Sequence, residues 1–125
     1  MPRRPIDRRG PRVRQHDPSL LILLSLAAGD KHGHALAGDI AEVAGVRLGP
    51  GTLYGAITRL EQRGLIEPLA AEGRRRPYRL TRSGLAALDE DVKALRRLLA
   101  AGDERVAMAR RRLGATPAPG LGWAT

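Results

Sequence analysis

Residues 49–81, GPGTLYGAITRLEQRGLIEPLAAEGRRRPYRLT, decide the fold. Pro50 has the φ of a first helical turn and lacks an N–H that would go unused there. Leu53, Ile57 and Leu60 follow at the spacing of one apolar helix stripe. Gly64 ends that helix, and Leu65 and Ile66 turn the chain back toward a core. The outward face then carries Thr52, Gly55, Arg59, Gln62 and Arg63, with Tyr54 and Thr58 at its flanks. Two short strands are predicted next, Leu65 to Leu69 and Pro77 to Thr81. Between them, residues 70–76 form a turn in which Gly73 supplies the flexible position. Arg74, Arg75 and Arg76 have no packing role at such a tip, so they are expected to point to solvent or to a ligand.

Working outward, Asp17 caps a first helix with Pro18 at its first position. Leu20, Leu21, Leu23, Leu24 and Leu26 make that helix apolar nearly all round, which predicts a core position. A second helix is expected from about His34 to Val43, with Leu36, Ile40 and Val43 as its buried stripe and Ala44-Gly45 as its close. After the hairpin, Thr81 caps a long helix from about Arg82 to Leu113. Leu85, Leu88, Val92, Leu95, Leu99, Gly102, Val106, Ala109 and Leu113 follow a 3-4-3-4 spacing, the seam of a coiled coil. Unbroken, that helix is roughly 45 Å long, more than a small domain covers by itself, so a second subunit is expected on it. Gly102-Asp103 reads as a stop followed by a new cap, which leaves a kink or break there open.

The order helix, helix, helix, hairpin, helix makes the fold class mainly α with a small β-hairpin. It is the plan of a winged helix-turn-helix (17–81) with a long C-terminal dimerisation helix (82–113). An Arg-rich arm (1–16) and a Gly/Pro-rich tail (114–125) flank it and are expected to be disordered. In this plan the third helix lies in a DNA major groove. It would present Thr52, Arg59 and Arg63, with Tyr54 and Thr58 at the edge. Free N–H groups at Gly51 and Thr52 can hold a phosphate, as can the hydroxyls of Thr52 and Tyr54. Arg59 or Gln62 can reach base edges. Arg74 to Arg76 would follow phosphates or enter a minor groove.

Composition agrees. The chain has 125 residues, room for one domain plus tails. Lys and Arg number 22 against 13 acidic residues, a net +9. Arg3, Arg4, Arg8, Arg9, Arg12 and Arg14 against Asp7 put +5 before residue 16. Such a balance favours a polyanionic partner. There is no cysteine, which excludes disulfides, thiolate zinc sites and thiol catalysis. Three aromatic residues, Tyr54, Tyr78 and Trp123, are too few for single-strand binding by base stacking. The longest apolar stretch, Leu20 to Ala28, is too short for a bilayer, so a soluble cytoplasmic protein without membrane contact is expected.

The motifs Leu48-Gly49-Pro50-Gly51-Thr52-Leu53-Tyr54, Arg59-Leu60-Glu61, Gly64-Leu65-Ile66, Gly73-Arg74-Arg75-Arg76 and Tyr78-Arg79-Leu80-Thr81, with Gly84 and His32-Gly33, resemble the PadR-like transcriptional regulators in type and order. The resemblance covers about residues 18–100. It implies a dimeric winged-helix regulator, usually a repressor, on an inverted-repeat operator, with the C-terminal helix as dimer element. It also implies a small-molecule effector at the dimer interface. It matches Pro50, Gly51, Thr52 and Tyr54 to the DNA-contacting helix and Arg74 to Arg76 to the wing. The dimer seam would use Leu85, Leu88, Val92, Leu95, Leu99 and Val106. Three departures stand out. Gly49 replaces a capping Ser, His34 replaces a Tyr, and the dimer helix has no aromatic residue to stack on a flat drug.

Sharper chemistry is not supported. His16, His32 and His34 lack the acidic partners of a metal site, and their reading is structural or solvated. Asp89-Glu90-Asp91 are adjacent on a helix and point in different directions, a solvated face. No nucleophile–base pairing or phosphate loop is visible, so neither catalysis nor a cofactor is expected. The arginine arm either threads a minor groove or is a solvated tail. Arg110 to Arg112 suit a helix C-terminus. The alternative to double-stranded DNA as partner is a winged-helix interaction module without DNA binding; an RNA-associated basic protein is disfavoured by the few aromatics.

Overall fold

The computed structural model describes residues 17–114. The arginine arm, and the tail beyond Gly114 with Trp123, lie outside the described residues. Seven elements occur in the order α1 (Pro18–Ala27), β1 (Lys31–His32), α2 (Gly33–Ala44), α3 (Pro50–Gln62), β2 (Ile66–Pro68), β3 (Pro77–Leu80) and α4 (Arg82–Leu113). They fall into two compact units, one up to Asp89 and the other from Glu90.

The first unit has a helical core. Leu21, Ile22, Leu23 and Leu26 of α1, Leu36 and Ile40 of α2, and Leu53, Ala56, Ile57 and Leu60 of α3 are all buried. Leu65, Ile66 and Leu88 complete the core from the chain that follows. Each helix starts for a local reason. Asp17 accepts the Ser19 N–H at 3.0 Å, and Pro18 sits at the first turn of α1. Pro50 opens α3, whose cap, Gly49, makes no side-chain bond. The end of α3 is a Schellman motif. Leu65 N–H donates to the Leu60 carbonyl and Gly64 N–H to that of Glu61, with Gly64 at φ 73°. That turn buries Leu65 and starts β2.

The hairpin β2–β3 belongs to a three-stranded antiparallel sheet, ordered β1-β3-β2, with β3 at its centre. The third strand, Lys31–His32, was not predicted. Two residues carry no periodicity, and their partners, Tyr78 and Pro77, are far along the chain. The β2–β3 ladder pairs Glu67 with Arg79, whose guanidinium lies 2.7 Å from the carboxylate. At this exposure such a pair contributes at most about 1 kcal/mol.

One expectation for α2 fails. Leu36 and Ile40 are buried, but Val43 is 63% exposed. The helix starts one residue earlier than expected, at Gly33 with His32 as cap. Val43 instead lines an apolar groove of about 240 Å³ with Leu21, Leu24, Ala28, Ile40 and Ala44. At its edge, buried Ser25 donates to Asp39 Oδ2 at 2.6 Å. Lys31 Nζ lies 3.9 Å from the same carboxylate and donates to the Ser25 carbonyl at 2.6 Å. This polar knot ties α1, β1 and α2 together. Asp39→Ala is expected to cost about 2 kcal/mol in urea unfolding, because the Ser25 hydroxyl stays buried without an acceptor.

Thr81 joins α3 to α4. Its hydroxyl donates to the Gly64 carbonyl at 2.7 Å and accepts the Gly84 N–H at 3.0 Å. α4 then runs unbroken for 32 residues, about 48 Å. Gly102-Asp103 does not interrupt it. In the second unit Val92 and Leu95 are half-buried, while Leu98, Leu99, Val106, Met108 and Leu113 are exposed. Among the described residues no helix is long and apolar enough to cross a membrane.

A candidate nucleic-acid interface

Helix α3 offers a free face. Buried Leu53, Ala56, Ile57 and Leu60 fix its rotation, so Thr52, Tyr54, Thr58, Arg59, Gln62 and Arg63 are all exposed. Pro50 and Gly51 are exposed at its start, where the first N–H groups have no partner within the helix. Two of these residues have local duties. Thr58 donates its hydroxyl to the Tyr54 carbonyl at 3.0 Å, and Arg59 folds toward Gly55. An added Cβ at Gly55 would lie 3.5 Å from Arg59 Nη1. That is ordinary van der Waals contact, so an alanine at this position would fit beside the guanidinium.

The wing turn is tighter than seven residues suggest. Glu72 and Arg75 exchange both backbone hydrogen bonds, at 2.7 and 3.0 Å, across Gly73-Arg74. Gly73 takes φ 65° while Arg74 keeps a negative φ. That is the pattern of a type II′ turn, which requires glycine at its first central position. The three arginines remain exposed as expected, but they are not equivalent. Arg76 donates to the Leu69 carbonyl at 2.7 Å and is tied to the wing stem. Arg75 lies 3.5 Å from His32 Nε2. Arg74 is at the tip.

These elements converge. His32, Gly33, His34, Tyr54, the three arginines and Tyr78 line one cleft of about 180 Å³. Among the described residues no acidic side chain lines it. Tyr54 reaches it by packing its hydroxyl on Gly33, where any Cβ would collide with the ring. Burial raises the pKa of Tyr78, the charge of Glu61 and Tyr54 adds to this, and Arg76 opposes it. The phenol therefore stays neutral and able to donate at physiological pH.

Residues 31–34 are the part of the cleft that sequence reasoning missed. His32 caps α2 by accepting the Ala35 N–H at Nδ1, and its ring stacks on His34 with centroids 6.5 Å apart. The signals there were a histidine pair at the start of a predicted helix and the His32-Gly33 motif of the family resemblance. Among the described residues no three metal-ligating side chains cluster. The expected dimer residues divide differently. Leu88 is buried in the first unit's own core, and Leu85, Leu99 and Val106 are 55%, 66% and 49% exposed.

Comparisons with known proteins bear on the family and the fold. A transcriptional regulator Rv3488 of Mycobacterium tuberculosis is 44% identical over 82 residues, which is 63% of this chain and 76% of that protein. An uncharacterized 37.1 kDa protein in a transposon of Streptomyces fradiae is 44% identical over 86 residues. The match takes in 69% of this chain but only a quarter of that relative's length. A PadR family transcription regulator from Clostridium difficile superimposes with a TM-score of 0.65 at 24% identity. It covers 71% of this chain and 97% of its own, and shows the same fold. The model of the PadR-like family of transcriptional regulators matches residues 22–90, more than half of the chain. The chain therefore belongs to the PadR-like transcriptional regulators, a family of DNA-binding proteins and not of enzymes.

Proposed function

We propose that this protein is a sequence-specific repressor that acts in the cytoplasm and binds an inverted-repeat operator as a homodimer. The observation that carries the reading is the meeting of Tyr54, on the exposed side of α3, with the wing arginines around one basic cleft. Thr52, Arg59 and Arg63 would enter the major groove, and Pro50 and Gly51 would bring the helix start to a phosphate. Tyr54, Thr58 and Arg74 to Arg76 would hold the backbone on either side. Phosphate contacts supply most of the affinity and base contacts the discrimination.

Two apolar surfaces support the dimer. Leu85, Leu99 and Val106 of α4 are too exposed to remain in water as a continuous seam, and Val92 and Leu95 are half-covered. The α1–α2 groove, with Leu24 and Val43 exposed, is the complementary concavity. A second copy that places its helix there would cover both. A small-molecule effector at this interface would act by changing the spacing of the two reading heads, as the family resemblance implies.

The test is selection of bound duplexes from a random pool, repeated with Arg59→Ala. An enriched inverted repeat, with half-sites one or two helical turns apart, is expected. Arg59→Ala should relax one operator position at a cost of about 1–3 kcal/mol there. An unchanged preference would place α3 differently on DNA. Sedimentation at micromolar concentration should give a dimer, and a monomer would overturn the seam. Salt-sensitive binding without sequence preference would reduce the function to non-specific association. No duplex binding at all would favour the interaction module.

A further inference from the structure

The wing cleft contains two donors that face each other. His32 Nδ1 accepts the Ala35 N–H at 3.4 Å, and an imidazole that accepts at one nitrogen presents its N–H at the other, Nε2. Nε2 lies 3.5 Å from Arg75 Nη1, and a guanidinium has only donors. The two N–H groups cannot satisfy one another. One acceptor atom placed beside both satisfies each. The rest of the cleft has the same polarity. Arg74 and Arg76 add two cations, the Tyr78 phenol is neutral, and the 12-residue α2 starts in its wall with the positive end of its dipole. Glu61, whose charge acts on Tyr78, does not line the cleft.

We propose that this cleft is an oxyanion seat, in which His32 Nε2 and Arg75 Nη1 share one oxygen of a tetrahedral anion. The proposal rests on the DNA-binding reading and deepens it. The anion is a phosphate of the duplex backbone, held by β1 and the wing together. A free phosphate or sulfate has the same chemistry and is the other source of the ligand. His32 belongs to β1, caps α2 and faces the wing, so an occupied seat fastens the wing to the reading head. The histidine pair then has a binding role that neither a metal site nor a solvated surface supplies.

The experiment uses the full chain with His32→Asn, Arg75→Gln and the double variant. Asparagine is a strong helix cap but too short to reach Arg75. His32→Asn should therefore keep its thermal midpoint, and a changed midpoint would mean that the cap itself was lost. The first probe is a duplex enriched by selection, titrated at several salt concentrations. Each single variant is expected to weaken binding about 5–10-fold, and the double variant no more than about 10-fold, since both groups serve one oxygen. Arg75→Gln should also flatten the log–log salt slope by about 1, whereas His32→Asn leaves the slope unchanged. The second probe is sulfate without DNA, titrated against chloride at constant ionic strength and followed by the imidazole 15N signals. A saturable shift of His32 Nε2, lost in Arg75→Gln, is expected.

A sulfate response with unchanged duplex affinity in every variant would make the ligand a free anion and overturn the duplex phosphate as its source. Fully multiplicative duplex effects with a silent His32 signal would overturn the seat. If the wild-type chain binds no duplex, the DNA-binding reading fails while the sulfate arm still decides the seat.

Discussion

Gly84→Ala is expected to cost about 3 kcal/mol of stability and to lower the thermal midpoint by about 10–20 °C, measured by circular dichroism and urea unfolding. The sign runs against helix propensity, which favours alanine over glycine by up to about 1 kcal/mol. Packing reverses it. α4 crosses the hairpin at Gly84, and an added Cβ would fall on the Leu65 carbonyl oxygen and within 2.7 Å of Leu80 Cδ1. That oxygen is not free to give, because it accepts the Thr81 N–H at 3.1 Å. Relief would require α4 to lift off β2 and β3, which exposes Leu88 and breaks the Thr81 link to Gly64. A midpoint unchanged or raised by Gly84→Ala would show that α4 does not lie on Leu65. Gly33 makes an instructive contrast, because its obstacle is the far end of the Tyr54 side chain, which can swing away.

Replacing Arg74, Arg75 and Arg76 together by alanine is expected to leave the midpoint nearly unchanged and to weaken duplex binding on the order of 100-fold near physiological salt. The folding term is small because all three side chains are exposed, and only Arg76 holds a backbone partner, the Leu69 carbonyl. The binding term is large because three charge-assisted contacts to phosphate vanish at once. The slope of log affinity against log salt should flatten by about 3. All sequences should lose affinity alike, since phosphate contacts carry no base information. Fluorescence anisotropy with selected and scrambled duplexes at several salt concentrations checks both features. A loss confined to the selected duplex would mean that the wing reads bases, and a steady slope would mean that it touches no phosphate.

The helices were legible because each carries a local signal. Asp17-Pro18 and Pro50 mark helix starts, Gly45 and Gly64 mark ends, and Leu53, Ile57 and Leu60 repeat at helical spacing. The same signals placed Thr52, Tyr54, Arg59 and Arg63 on the free face of α3, since burying one stripe of a helix exposes the opposite one. The wing was legible for a similar reason, with Gly73 at its turn and arginines that no core accepts.

Other features depend on partners distant in the chain. Strand β1 exists only because Lys31 and His32 meet Tyr78 and Pro77, and nothing in a two-residue stretch announces that pairing. Val43 fits the apolar stripe of α2 yet is exposed, because within its own unit it faces the open α1–α2 groove beside Leu21, Leu24 and Ala28 and no side chain fills that space. Gly102-Asp103 reads as a stop, but α4 continues through it, for one glycine costs a long helix only about 1 kcal/mol. The difference between Arg74, Arg75 and Arg76 comes from where the folded chain puts Leu69 and His32 beside them. Periodicity, caps and turn residues act over a few positions, so sequence alone settles the helices, the wing and the exposed face of α3. Strand β1, the Ser25–Asp39–Lys31 knot and the shared His32–Arg75 cleft join groups far apart in the chain, and only the packed structure brings them within hydrogen-bond range.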